Sequence, residues 1–225
     1  MIQVKICGLH TAAALAECAR LGVDYVGLVF HPPSPRAVTP AQAAALFPTP
    51  GGPSRVGLFV DADDITLAAT LAALRLDILQ LHGSETPARC AAIRARFGLP
   101  VMKALGIGGP ADLAAIAVYA PVVDRFLFDA KPAPSDPLPG GNAHAFEWRL
   151  LAGQPIPRPW LLAGGLTPGN VAAAITASGA AGVDVSSGVE ARRGEKSLPL
   201  IAAFTHAARA TDRDNLQPKV ELLRM

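Results

Sequence analysis

The residues that could do chemistry are few, and they fall at similar places in the chain. Cys7 ends the apolar run "VKIC" just before Gly8; Arg36 stands in "SPR", His82 in "LQLHG", Asp129 at the close of "RFLFD" and Asp184 inside "GVDV". A thiol titrates near pH ~8.5 when unperturbed, and it serves as a base when its surroundings lower that value. Cysteine is also a small hydrophobe that is often buried, the reading that suits Cys18 and Cys90. A carboxyl between apolar aromatic neighbours, as Asp129 is in sequence, can have a raised pKa and donate a proton; the alternative is a helix or turn cap. Arg36 offers a fork that fits a carboxylate, or is a solvated loop residue. His82 is suited to touch a substrate, to titrate, or to satisfy a backbone carbonyl. An unpaired acid inside a strand is costly, so Asp184 should point into a site or meet a cation. Asp61, Lys5 and Lys103 read as supports of the rim or interior through ion pairs.

A second group could bind an anion. In "LLAGGLTPGN" the paired Gly164 and Gly165 let a backbone approach a ligand closely. In "GVDVSSGVE" Ser186, Ser187 and Gly188 offer N–H and hydroxyl donors. Two such clusters on successive units resemble the phosphate site that barrels build from their last loops and a helix N-terminus. The plainer alternative is that the glycines make tight turns and the serines cap a helix.

These residues need a scaffold, and its period is legible. Eight short apolar runs recur at Ile2–Ile6, Tyr25–Phe30, Arg55–Val60, Ile78–Leu81, Val101–Leu105, Arg125–Phe128, Trp160–Ala163 and Val183–Ser186. Nearly continuous hydrophobicity suits parallel strands buried on both faces. The alanine-rich segments between them read as helices. Thr39-Pro40, Thr86-Pro87 and Thr167-Pro168 each place a capping residue before a proline suited to the first turn. Gly22, Gly98 and Gly179 stand where helices should stop. The pattern predicts a single-domain α/β fold, a (β/α)8 TIM barrel over residues 1–210, with a polar C-terminal tail at 211–225. A doubly wound open sheet is the rival. In a barrel the C-terminal strand ends carry the site, which puts Cys7, Arg36, Asp61, His82, Asp129, the Gly164 pair and the Ser186 cluster on one rim. The Pro- and Gly-rich stretch 131–141 reads as a long loop after the sixth strand.

Composition narrows the partners. The 225 residues are 51% hydrophobic and carry a formal net charge of +2 with no basic block. Nucleic acid is not expected. No apolar stretch spans a bilayer and no signal segment is evident, so no membrane is expected either. The three cysteines have no metal-ligand spacing and cannot all pair, which fits a reducing cytoplasm.

Taken in order, "KICG", "GLVFHPPSPRAV", "VGLFV", "LQLHG", "FLFDA", "PGGNAHAFEW", "LLAGGL" and "VDVSSGVE" closely resemble the phosphoribosylanthranilate isomerases of tryptophan biosynthesis, over nearly the whole chain. The resemblance implies an intramolecular Amadori rearrangement of N-(5-phosphoribosyl)anthranilate, a small phosphosugar substrate, with no cofactor and no metal. It implies Cys7 as general base, Asp129 as general acid, Arg36 facing the anthranilate carboxylate, His82 and Asp184 lining the site, and Gly164, Gly165, Ser186, Ser187 and Gly188 holding the phosphate. A monomer or homodimer is expected. The related histidine-pathway isomerase uses two carboxylates, and Cys7 argues against it. Intact acid and base argue against a barrel that has lost its chemistry. Two stretches depart from the usual pattern: Ala143 and Glu147 stand where glycine and aspartate are common, and "RRGEKS" replaces a different sequence beside the eighth strand.

Overall fold

The computed structural model describes residues 1–47, 51–131 and 145–214. Eight parallel strands close into a barrel in sequence order: β1 (Gln3–Cys7), β2 (Tyr25–Val29), β3 (Ser54–Phe59), β4 (Ile78–Leu81), β5 (Val101–Ile107), β6 (Arg125–Ala130), β7 (Trp160–Leu162) and β8 (Gly182–Val185). β8 pairs back onto β1, with Lys5 opposite Asp184, so no edge remains exposed. The open-sheet rival is thereby excluded.

Among the described residues seven helices alternate with the strands: α1 (Ala12–Arg20), α2 (Pro40–Ala45), α3 (Asp64–Ala73), α4 (Pro87–Phe97), α5 (Ala114–Tyr119), α6 (Val171–Ser178) and α7 (Leu198–Asp214). After β6 a 3-10 turn, Trp148–Leu151, stands in the helix position; Glu147 caps it, accepting from Arg149 N–H at 3.2 Å. Behind β8 a short antiparallel hairpin, β9 (Glu190–Arg192) and β10 (Glu195–Lys196), precedes α7. Ala143 and residues 132–141 of the expected sixth loop lie outside the described residues, as does everything after residue 214. No helix among the described residues is long and apolar enough to cross a membrane.

Local chemistry accounts for most of the helix ends. Thr39 and Thr86 cap α2 and α4 with proline in the first turn, and left-handed Gly98 and Gly179 stop α4 and α6. Thr167-Pro168 does not open α6. The cap is Asn170, whose Oδ1 accepts from Thr167 N–H at 2.7 Å while its Nδ2 donates to Gly165 O at 2.9 Å. The side chain that ends the loop after β7 thus also shapes it.

Strand alternation sorts the side chains. Tyr25, Val56, Ile78, Met102, Leu127 and Leu161 fill the barrel interior. The opposite faces, with Val4, Ile6, Val26, Leu79, Phe126 and Phe128, pack under the helices. Both faces are buried, which is why the strands read as unbroken apolar runs. By the same period of two, Lys5, Cys7, Gln80, His82, Asp129, Asp184 and Ser186 share the inward parity.

Candidate active site

Asp129 is the penultimate residue of β6 rather than the residue after the strand. Its Oδ1 accepts from Ala130 N–H at 2.8 Å, and its Oδ2 lies 3.5 Å from His82 Nε2. Phe126 and Phe128 flank it only in sequence. They stack on each other, and Phe128 meets Trp160 edge-on, on the helix side of the sheet. The neighbours of the carboxylate are therefore a histidine and backbone. The other ring nitrogen of His82, Nδ1, is 3.0 Å from Nε2 of the fully buried Gln80. Gln80 engages Nδ1 and Nε2 faces the carboxylate, which sets the orientation of the ring. Beside this pair opens a cavity of about 300 Å³ lined by Asp61, His82, Ser84, Ala104, Gly106 and Asp129 among others. Gly106, opposite Asp129 in the register, adds no side chain to fill it.

The rim beneath His82 is locked by a buried knot. Lys103 Nζ donates to Glu85 Oε2 at 2.9 Å and to Gly83 O at 2.7 Å; Glu85 Oε1 accepts from Asp61 N–H at 2.9 Å. Asp61, at φ +49, turns back so that its carboxylate accepts from Ser84 N–H at 2.8 Å. A Cβ on Gly83 would stand 2.6 Å from that carboxylate. Lys103 thus braces this rim through its ion pair with Glu85, whereas Asp61 joins the loops after β3 and β4 by hydrogen bonds to Ser84 and not by ion pairing.

Cys7 sits across the barrel at the end of β1. Its register partner is Gly27, and a Cβ there would stand 2.7 Å from Cys7 Sγ, so only glycine leaves the thiol room. Cys7 is 4% exposed. Burial pushes the thiol up, with Asp184 adding to the effect, while the Lys5 and Lys196 ammonium groups pull it down. The net direction is upward, opposite to the lowering expected for a base from its position alone. Lys5, two residues earlier on the same face, is wholly buried and 2.9 Å from Asp184 Oδ1. Burial works against its charge, but Asp184 and Cys7 raise its pKa overall. Asp184 therefore meets a cation.

Arg36 is no solvated loop residue. Its Nε and Nη2 clamp Glu190 at 2.6 and 2.9 Å. Glu190 also accepts from Lys196 Nζ at 2.7 Å. Burial raises the Glu190 carboxyl, but Arg36 and Lys196 outweigh it and hold the group at about 2. Sequence reading missed Glu190 and Lys196, although both sit in or beside quoted motifs.

The loops after β7 and β8 interlock. Gly164 and Gly165 have φ of +84 and +61, and a Cβ on Gly188 would fall 1.8 Å from Leu166 O. Only glycine permits this approach. Ser187 and Gly188 lie in a 3-10 turn, Ser187–Val189, after β8. Ser186 Oγ donates to Cys7 O at 3.2 Å, tying this loop to the end of β1.

A closed (β/α)8 barrel with an acid, a thiol and a glycine–serine loop pair on its C-terminal rim has the architecture of a barrel enzyme. Comparison with known proteins is specific. The model of the N-(5'-phosphoribosyl)anthranilate (PRA) isomerase family matches residues 4–207. The N-(5'-phosphoribosyl)anthranilate isomerase of Paramagnetospirillum magneticum is 56% identical over 209 residues, 92% of this chain and 97% of that one. The crystal structure of phosphoribosyl anthranilate isomerase from Thermotoga maritima is 32% identical with a TM-score of 0.84, covering 93% of this chain and 100% of that one. A phosphoribosyl anthranilate isomerase solved in complex with reduced 1-(o-carboxyphenylamino)-1-deoxyribulose 5-phosphate is 31% identical with a TM-score of 0.79, at 93% and 100% coverage. This chain belongs to the N-(5'-phosphoribosyl)anthranilate isomerase family.

Proposed function

We propose that Cys7 and Asp129 are the general base and general acid through which this chain performs its family's reaction. That reaction is the isomerisation of N-(5-phosphoribosyl)anthranilate to 1-(o-carboxyphenylamino)-1-deoxyribulose 5-phosphate in tryptophan biosynthesis. Asp129 protonates the ribose ring oxygen, the C1–O bond breaks, and the anthranilate nitrogen lone pair forms a Schiff base. Cys7 then takes the proton from C2, and the electrons left behind pass to the nitrogen as an enolamine. Tautomerisation places a proton on C1 and leaves a ketone at C2. C2 is oxidised as C1 is reduced, so the rearrangement balances within one molecule and needs no external oxidant.

The observation that carries this reading is the placement of Asp129. Its carboxyl lines a cavity, on rigid strand, with His82 beside it. The thiol supports the base role in a different way. Burial makes the thiolate the scarcer form of Cys7, and the Lys5 and Lys196 ammonium groups beside it favour that thiolate, the form that can take a proton. Arg36 binds the anthranilate carboxylate, His82 and Asp184 border the sugar, and Gly164, Gly165, Ser186, Ser187 and Gly188 take the phosphate through backbone and hydroxyl donors.

We place the protein in the cytoplasm, as a single barrel domain whose last helix, α7, runs through the expected boundary at 210 to Asp214, working as a monomer or homodimer. Loss of phosphoribosylanthranilate fluorescence with purified protein and a chelator tests the activity. Steady turnover agrees with it, and none under any ionic condition contradicts it.

A further inference from the structure

The loops after β2 and β8 meet in a buried ion cluster whose arithmetic is incomplete. The side chains of Arg36, Glu190 and Lys196 are 4%, 3% and 2% exposed. Two cations there share one carboxylate. Lys196 Nζ is satisfied by Glu190 and Ser186, so the group in this cluster with donors left to give is the Arg36 guanidinium. The geometry says which atom offers them. Glu190 takes the Nε–Nη2 edge of Arg36, and a guanidinium held by that edge keeps the two N–H donors of Nη1 for another acceptor. Among the described residues Nη1 has no hydrogen-bond partner.

The rest of the arginine is also fixed. A Cβ on left-handed Gly8, the residue after Cys7, would stand 2.7 Å from Arg36 Cδ, so the arginine stem lies flat against that glycine. Glu190 is fixed in turn. Its Oε2 accepts from Gly194 N–H at 2.9 Å in the β9–β10 turn, and Lys196 reaches both Glu190 and Ser186 O, the latter at 2.9 Å. A Cβ on Gly194 would stand 3.0 Å from Pro35 O, so the hairpin is seated directly on the loop that carries Arg36.

We propose that Glu190 is a positioning residue for the isomerisation: it holds Arg36 by one edge so that Nη1 meets the substrate's ortho-carboxylate. The hairpin built from "RRGEKS" is the part that sets this grip. The inference rests on the reading of Arg36 as the partner of that carboxylate.

The test compares two ligands by calorimetry, the reduced product and the same compound made with aniline in place of anthranilate, which lacks the carboxylate. Glu190→Gln should weaken the carboxylated ligand roughly tenfold, about one charge-assisted hydrogen bond, and leave the aniline compound within about twofold. In turnover KM should rise while kcat holds. Adding Glu190→Gln to Arg36→Met should cost the carboxylated ligand nothing further. Glu190→Asp, which keeps the charge but withdraws it by one methylene, should show the same selectivity at smaller size, and it serves alone if Glu190→Gln does not fold. If Arg36→Met discriminates between the ligands but neither Glu190 variant does, Glu190 merely braces the hairpin and this proposal is wrong. If Arg36→Met weakens both ligands alike, the reading of Arg36 fails and the proposal falls with it.

Discussion

His82 Nε2 stands 3.5 Å from Asp129 Oδ2, with both side chains nearly sealed from solvent. The two residues come from β4 and β6, and Gln80 holds the far side of the ring. His82→Asn takes the imidazole away from the carboxylate and should therefore lower kcat several-fold, with a smaller change in KM. Steady-state kinetics separate the two. A rise in KM with kcat unchanged would mean that His82 only touches substrate.

Lys5 and Asp184 form a buried cross-strand pair directly below Cys7. Lys5→Met leaves the acid alone inside the barrel and should cost about 3–5 kcal/mol of stability. Lys5→Met with Asp184→Leu should recover much of that loss in a urea titration, because two apolar groups replace two charges. The fold recovers in that double variant but the thiol does not. With the cation gone the thiolate is less favoured, so the rising limb of the pH–rate profile should move to higher pH.

Acid should act through Glu190. Its folded carboxyl is held at about 2 against an ordinary 4.5. A depressed acid contributes stability that is fully present above its unfolded value and is lost as pH falls toward the folded one. Melting temperature should drop between about pH 4.5 and 2, by part of a ceiling of about 3 kcal/mol. Burial depresses the Lys196 ammonium despite Glu190, so the cluster delivers less than that ceiling. Glu190→Gln should flatten the fall in a series of thermal melts.

The architecture was largely legible in the sequence. A parallel barrel buries both strand faces, so each strand announces itself as an apolar run, and Thr-Pro pairs and glycines mark helix ends by local stereochemistry. Thr167-Pro168 misled because the two residues lie in the loop itself, which Asn170 three residues later holds by bonds back to Thr167 and Gly165 before the helix starts. Candidate site residues were legible where the chain itself flags them, as an acid or thiol closing an apolar strand. Their partners were not. Arg36 and Glu190 are 154 residues apart, and nothing local to either sequence records that the β9–β10 hairpin lies on the loop after β2. The environment of Cys7 was hidden for a similar reason. The room for its thiol depends on Gly27 of the next strand, and its electrostatics on Lys5 and Lys196 together.

The three thiols should differ in reactivity. Burial pushes Cys18 up to about 12 and Cys90 to about 11, and they face the core from α1 and α4. Cys7 is raised too, but it lies at the rim and two cations oppose the shift. Iodoacetamide should label Cys7 first, slowly at neutral pH and faster as pH rises, with activity lost in step; the reduced product should protect it. Peptide mass mapping showing Cys18 or Cys90 labelled first, or Cys7 labelled without loss of activity, would remove the proposed base.

The central claim is that Asp129 delivers the proton that opens the ribose ring, and Asp129→Asn tests it most directly. The amide keeps the shape of the side chain and cannot supply that proton. Phosphoribosylanthranilate turnover by the variant should fall ~10²–10⁴-fold, while calorimetry should show the reduced product binding within a few-fold of the unaltered protein. Turnover near that of the unaltered protein, with binding intact, would contradict the account.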